Sequence, residues 1–356
     1  MTDYSKELVA TVEQAHQDKT ALYICGGGSK SHILGRSNDA TPSVRLELSK
    51  HSGIVDYHPG ELVMTARAGT TLTQINSALA KEGQVLSFEP PVFGGKATLG
   101  GTLACNMSGP ARPWGGSVRD MVLGVQLING KGQLLNFGGQ VMKNVAGYDV
   151  SRLQAGALGT LGILTQVSLK VLPVPEHRTT LCYEVDAAAA MDMMVATSAQ
   201  AKPLSGAYWA DGVLYLRLSG AENAVIQTAK HWGGEPLADG AAVWQTLREF
   251  DHPFFSGDEP LWRFSQNPSA PVPAELGEFL IDWGGAQRWL RGEHDRIALE
   301  KVAERAGGHV SLFRGGDRTG EVKHSLPPLE KTLHKRLKYA FDPAGLLNPG
   351  RMYTWM

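Results

Sequence analysis

Residues 94–120 read GGKATLGGTLACNMSGPARPWGGSVRD, and no other stretch limits the possible fold as strongly. Seven of these twenty-seven residues are glycine, where average usage gives about two. Each glycine costs roughly 0.4–1 kcal/mol relative to alanine through the entropy of the unfolded chain. A folded protein keeps such a cluster where backbone turns sharply or lies directly against a ligand. Thr98, Thr102, Ala104, Ser108 and Ser117 keep the surroundings small, and Arg112, Arg119 and Asp120 follow towards the end. Bare N–H groups, hydroxyls and few bulky side chains suit a large, flat, phosphate-bearing cofactor.

The chain has 356 residues, more than one hydrophobic core usually serves, so two domains are expected. A net charge of −1 without runs of like charge argues against nucleic acid as a partner. No apolar stretch approaches the ~18 residues that span a bilayer. The acidic, amphipathic start MTDYSKELVATVEQAHQ is unlike a signal peptide, which places the protein on the cytoplasmic side. Cys25, Cys105 and Cys182 lack CxxC spacing, so neither a disulfide framework nor a metal or iron–sulfur site is expected.

In chain order, Leu8, Val9, Val12 and Ala15 share one face of a short helix. Leu22-Tyr23-Ile24-Cys25 reads as a buried strand emptying into Gly26-Gly27-Gly28-Ser29-Lys30, a row of N–H groups suited to anions. Neither GxGxxG nor the P-loop pattern is present, so a plain strand–turn fits this loop as well. Residues 44–47 and 62–66 are strand-like, with a turn rich in His, Gly and Pro between them. Leu72, Ile75 and Leu79 then mark a helix. This first part alternates strands and helices. Strands follow at 122–128, 134–137 and 162–171, and Pro173 and Pro175 mark a boundary. Beyond it, strand 181–185, helix 187–200, a hairpin about Asp211-Gly212 and helix 221–232 give a ferredoxin-like order. A looser echo covers 261–313, and Leu329, Leu333, Leu337 and Phe341 stand at helical spacing near the end.

Four pieces in register, GGGSK (26–30), ATLGGTLACNMSGP (97–110), GTLGILT (159–165) and DPAGLLNPGR (342–351), resemble the flavoprotein family of vanillyl-alcohol oxidase and p-cresol methylhydroxylase (PCMH). RPWGGSVRD, FGGQVMKNVAGYD, SRL, PFFS, LIDWGGAQRWL and NPGRMY extend the likeness over both domains to the FAD-binding E subunits of bacterial glycolate oxidase. The resemblance implies an α+β chain. It comprises a two-subdomain FAD-binding domain of PCMH type (1–175), a ferredoxin-like α+β cap for substrate or partner (176–328) and a C-terminal return segment on the FAD domain (329–356). It further implies a glycolate dehydrogenase in which a larger FAD-binding D subunit and an iron–sulfur F subunit pass electrons to the respiratory chain. Membrane contact, at the cytoplasmic face of the inner membrane, would come only through those partners. An electron-relay or assembly subunit, and a stand-alone dehydrogenase of another 2-hydroxy acid, remain alternatives.

By motif, the amides of Gly26, Gly27, Gly28 and Ser29 would face one phosphate and those of Leu99, Gly100 and Gly101 the other, without a flexible lysine. Thr98, Asn106, Ser108 and Gly109 would lie along the ribityl chain and ring. Ser117, Arg119 and Asp120 would close the site, Gly162 and Ile163 would serve the adenine end, and Asn348 and Arg351 would return towards the ring. Family members with covalent FAD generally carry a His just after the first glycines. Ser29 and Lys30 stand there in this chain, so FAD is expected to be non-covalent.

The HGDxNxH-like motif of related hydroxyacid dehydrogenases is missing, leaving only Gly307-Gly308-His309 and Gly315-Gly316-Asp317. No catalytic base is therefore assigned. His309 reads as a structural histidine, and His231, His252, His324 and His334 as surface residues. Arg263, Arg288 and Arg291 have the forked geometry to hold a carboxylate, yet arginines on a hairpin are usually solvated. The cap tryptophans read as core or interface and Cys105 as packing. Lys143 and Tyr148 are open to a substrate or partner role.

Overall fold

The structure, a computed structural model, describes residues 3–37, 43–139 and 148–356. Helix α1 (Ser5–Asp18) turns Leu8, Val12 and Ala15 inward. Strand β1 (Ala21–Cys25) pairs in parallel with β2 (Ser43–Glu47). Contrary to the expectation of a buried strand, only Leu22 of β1 is enclosed, because this ribbon has two strands and is covered incompletely. The stretch read as a turn after β2 contains strand β3 (Ile54–His58), which pairs antiparallel with β4 (Val63–Arg67). Its side chains are intermediate or exposed, so it lacks the apolar alternation that reveals a half-buried strand.

Helix α2 (Leu72–Lys81) begins where Thr71 and Gln74 form a reciprocal capping box. It buries Leu72, Ile75 and Leu79. After β5 (Gln84–Val85) come three short helices, α3 (Leu99–Ala104), α4 (Arg112–Gly115) and α5 (Val118–Met121). The hairpin β6 (Val122–Ile128) and β7 (Leu134–Gly138) follows, then α6 (Val150–Leu153), β8 (Ile163–Lys170) and β9 (Leu172–Pro173). Strands β3, β4, β8, β6 and β7 form, in that order, an antiparallel sheet of five. A continuous apolar core under this sheet joins α1 and α2 to Leu99 and Leu103 of α3 and to Leu346 and Leu347.

The remainder builds β10 (His177–Glu184), α7 (Ala187–Ser198), β11 (Leu204–Ala210), β12 (Val213–Gly220), α8 (Glu222–Trp232), β13 (Glu235–Pro236) and α9 (Gly240–Glu249). Then come β14 (Leu261–Ser265), β15 (Phe279–Asp282), β16 (Gln287–Arg291), α10 (Arg296–Arg305) and β17 (His309–Arg314). The ferredoxin-like half and its echo are fused into one eight-stranded antiparallel sheet, order β13-β10-β12-β11-β15-β16-β14-β17. A backbone pair, Trp209 with Ile281, joins the halves. Trp244, Trp262 and Trp289 are buried in the cap.

Helix α11 (Pro328–Phe341) carries the chain back to the first domain. Only part of its leucine stripe is used. Leu337 and Phe341 pack inward, whereas Leu329, Leu333 and Tyr339 are 71%, 48% and 72% exposed. The helix is held instead by buried Lys338, whose Nζ donates to Asp342 Oδ2 (2.7 Å), Thr160 O (2.9 Å) and Leu347 O (2.7 Å).

The two sheets are locked together beside the glycine-rich stretch. Glu249 of α9 accepts from the N–H of Val92 (3.0 Å) and Phe93 (2.9 Å). Arg217 pairs with Glu89 at 2.9 Å, and Trp283 Nε1 donates to Gly109 O at 3.0 Å. Among the described residues, no helix is long and apolar enough to cross a membrane, and no group of three or more His, Cys, Asp or Glu could hold a metal ion.

Candidate functional site

A deep cleft opens where β1 ends. Gly26–Lys30 form one wall, Thr98, Gly100, Gly101, Ala104 and Cys105 the second, Leu158, Gly159 and Gly162 the third, and Asn348 and Arg351 the back. Glycine is required at the crossing of the first two walls: a Cβ on Gly27 would lie 1.8 Å from the Lys96 carbonyl oxygen. Here the glycines admit backbone against backbone, and Gly28, at φ +71°, turns the chain beyond the crossing. Among the described residues, the N–H groups of Gly27, Gly28, Ser29 and Lys30 meet no acceptor. Gly27 is exposed and Gly28 and Ser29 are half-buried, so these donors line the cleft and are open to an anion there.

The second loop is arranged differently from the sequence expectation. Leu99 N donates to Thr70 O (2.9 Å), Gly100 N to Ala68 O (2.8 Å) and Gly101 N to Thr98 Oγ1 (3.3 Å). These three amides anchor α3 to its own domain and are not free for a phosphate. What Gly100 and Gly101 offer the cleft is a surface without side chains. Deeper in this segment, Thr102 Oγ1 and Asn106 Oδ1 are buried without a hydrogen-bond partner among the described residues. Asn106 does not line the cleft wall itself.

Several expected contacts are structural. Ser117 and Asp120 form a capping box on α5, which also holds the Asp120 carboxyl below its usual range. Ser108 Oγ accepts from Val118 N at 3.1 Å, and Arg119 is exposed. Gly109 lies so close to Glu89 that a Cβ would meet its carbonyl oxygen at 2.1 Å. The Ile163 side chain is core, while Gly162 lines the cleft. Lys143 lies outside the described residues, and Tyr148 is 97% exposed.

Asn348 and Arg351 reach the cleft but spend their polar atoms on its frame. Asn348, at φ +44°, accepts from Ile24 N and donates to Leu158 O, both at 2.7 Å. Its side chain thereby ties β1 to the third wall. Arg351 donates to the carbonyls of Lys30, Ser31 (2.7 Å), Ile33 and Arg36. It fixes the path of the chain just after the glycine loop.

A second cleft, on the cap side, is lined by Arg263, His309, Ser311, Lys323, His324, Ser325 and Tyr353, with Glu304 and Glu330. The Cys105 thiol, on the wall of the first cleft, feels the charges of Arg263 and Lys323, which line the second. Burial pushes this thiol's pKa up. Among the described residues, neither Arg263 nor Lys323 has a carboxylate partner. Burial, reinforced by neighbouring cations, lowers Arg263 to about 10 and Lys323 to about 8. His309, exposed at the start of β17, is pushed down to about 4 by partial desolvation and then by Arg263, His324 and Lys323. The other two arginines are engaged. Arg288 is fully buried and donates to the carbonyls of Gly285, Ala270 and Pro271, while Arg291 pairs with Glu259 at 2.9 Å. His309 and His324, which the sequence presents as structural and surface residues, both stand on this cleft.

The profile described as "FAD binding domain" matches residues 3–138. Glycolate oxidase subunit GlcE of Escherichia coli (strain K12) is 46% identical over 352 residues, 99% of this chain and 98% of that one. The chain belongs to the GlcE family. A D-lactate dehydrogenase of Archaeoglobus fulgidus is 25% identical over 406 residues, covering 98% of this chain and 89% of its own. The solved structure of p-cresol methylhydroxylase with substrate bound superposes with a TM-score of 0.71 over 99% of this chain and 88% of the other, at 16% identity. The fold of this GlcE-family protein is therefore that of the PCMH flavoproteins. FAD is its cofactor and the protein is an FAD-dependent oxidoreductase. The first cleft suits that cofactor: open N–H groups for phosphate, side-chain-free walls for a flat ring, and orphaned polar atoms behind them.

Proposed function

We propose that this chain is the FAD-carrying subunit of a glycolate-oxidising assembly and that it binds the 2-hydroxy acid itself, beside the flavin. The observation that carries this reading is the pair of cations without a carboxylate partner, Arg263 and Lys323, in the second cleft, whose charges reach the Cys105 thiol of the FAD cleft. Two half-buried cations without a counter-ion favour a small anion. A guanidinium and an ammonium together match a carboxylate, one by its fork and the other as a point charge.

FAD supplies the acceptor for the two electrons that leave the substrate carbon. The protein orients the acid through Arg263 and Lys323. His309 stands on the same cleft and, pushed down to about 4, is neutral near pH 7 and able to accept a hydrogen bond from the substrate hydroxyl.

Electrons then leave for an iron–sulfur F subunit and the respiratory chain, with a larger FAD-binding D subunit in the same assembly. Support for an assembly is the similarity to a protein named as a subunit and the exposed pair Leu329 and Leu333, one turn apart on α11, with Lys335 and Arg336 exposed on the same helix. That combination fits an apolar partner surface edged with carboxylates. Any contact with the cytoplasmic face of the inner membrane comes through those partners.

Anaerobic addition of glycolate to the isolated, FAD-loaded subunit tests the central claim. Bleaching of the flavin absorbance is expected. An unreduced flavin at saturating glycolate would sink the substrate site and favour the relay or assembly reading.

A further inference from the structure

Among the described residues, the lysine of the FAD cleft has no carboxylate partner. Lys30 directly follows the open amides of the first loop and is 8% exposed. Its ammonium touches the Ser29 hydroxyl at 3.3 Å and lies 5.3 Å from the centre of the Phe93 ring. A Cβ on Gly101, across the cleft, would be 4.0 Å from Nζ. The titratable groups facing Lys30 are the Cys105 thiol at the end of α3 and Arg351 of the return segment. Arg351 is itself a cation. No carboxylate among the described residues lies within ion-pair distance of Lys30. An enclosed ammonium without a counter-charge is strongly disfavoured, and burial holds this group below the usual lysine range. The aligned amides of the loop are therefore not the only provision for negative charge.

We propose that Lys30 is the buried counter-charge for an anionic part of FAD, either the pyrophosphate or the reduced flavin ring. The inference rests on the cofactor and holds whichever acid the second cleft takes. It also gives the position after the glycines a purpose in a chain without a histidine there.

The test compares Lys30→Met and Lys30→Arg, using apoprotein titrated with FAD and with ADP, which has the pyrophosphate and no flavin ring. If the pyrophosphate is the partner, Lys30→Met weakens both ligands roughly tenfold to a hundredfold and flattens the salt dependence of binding. If the reduced ring is the partner, ADP and oxidised FAD bind normally. The two-electron potential of the bound flavin then falls by about 30 mV for each tenfold loss of affinity for the reduced form. In either case Lys30→Arg keeps most of the effect, and the Lys30→Met apoprotein unfolds at the same or higher denaturant concentration than the unmodified apoprotein. The proposal is overturned if Lys30→Met leaves both affinities and the potential unchanged. It is equally overturned if Lys30→Met destabilises the apoprotein and Lys30→Arg behaves the same way, the signature of a packing role.

Discussion

Replacing Asn348 by glycine removes the clamp between the first and third walls while keeping a residue at ease at φ +44°. Two peptide groups lose their partners, the Ile24 N–H and the Leu158 carbonyl, each held at 2.7 Å. A buried peptide group left unsatisfied costs about 1–3 kcal/mol, so the pair sums to about 2–6 kcal/mol, with the lower end applying if water reaches Ile24 through the cleft. Urea unfolding of the apoprotein, followed by far-UV circular dichroism, reads this directly. FAD titration by flavin fluorescence reads the consequence for the cofactor. Asn348→Asp provides the companion measurement. It keeps the acceptor for Ile24 N but turns a carboxylate towards the Leu158 oxygen, so its cost should grow as pH rises through the carboxyl pKa. A loss below about 1 kcal/mol in the glycine variant, with FAD affinity unchanged, refutes the clamp. Intact stability with lost affinity would instead mean that Asn348 touches the cofactor, as its motif suggests.

Acid precipitation should leave the yellow colour in the supernatant, because Ser29 and Lys30 stand where covalent members carry histidine; colour in the pellet refutes non-covalent FAD. Gly101→Val should lower flavin content, since its side chain would project between Thr98 Oγ1 and the Lys30 ammonium into the cleft; full flavin content would show that this wall does not meet the cofactor. Lys323, lowered to about 8, holds a carboxylate only while protonated, so the KM for glycolate should climb as pH rises through that region, and Lys323→Met should remove the climb while raising KM throughout. Leu329→Glu with Leu333→Glu should abolish copurification of partner subunits without changing FAD content; unchanged copurification assigns the contact to another face.

The fold was legible where periodicity and turn chemistry agreed. The spacing of Leu72, Ile75 and Leu79, the turn through Asn129 and Gly130, and the alternation in β8 all announce their elements. Strand β3 was not, since its side chains stay largely outside the core and offer no period. Helix α9 escaped for another reason: its role is a contact between domains, made by Glu249 to two amides far away in sequence. In the site, glycine position was readable but glycine purpose was not. Gly26 and Gly27 admit a neighbouring loop, a fact carried by Lys96 and Thr98 and by nothing local. Lys323 gave no signal, because being unpaired depends on which carboxylates the fold keeps away. Arg263, Arg288 and Arg291 look alike as a set, and only their burial and partners separate a free cation from two engaged ones.

The return segment sets the order in which this protein can be made. Ile24 waits for Asn348, 324 positions later in the chain, and the carbonyl of Lys30 waits for Arg351 across 321. While the ribosome is still synthesising the cap, the first domain has its sheet and its glycine loop but an open back wall. The complete FAD cleft therefore exists only in a chain that already includes residues 348–351. A cell short of flavin would accumulate complete chains with empty clefts, not nascent ones stalled halfway.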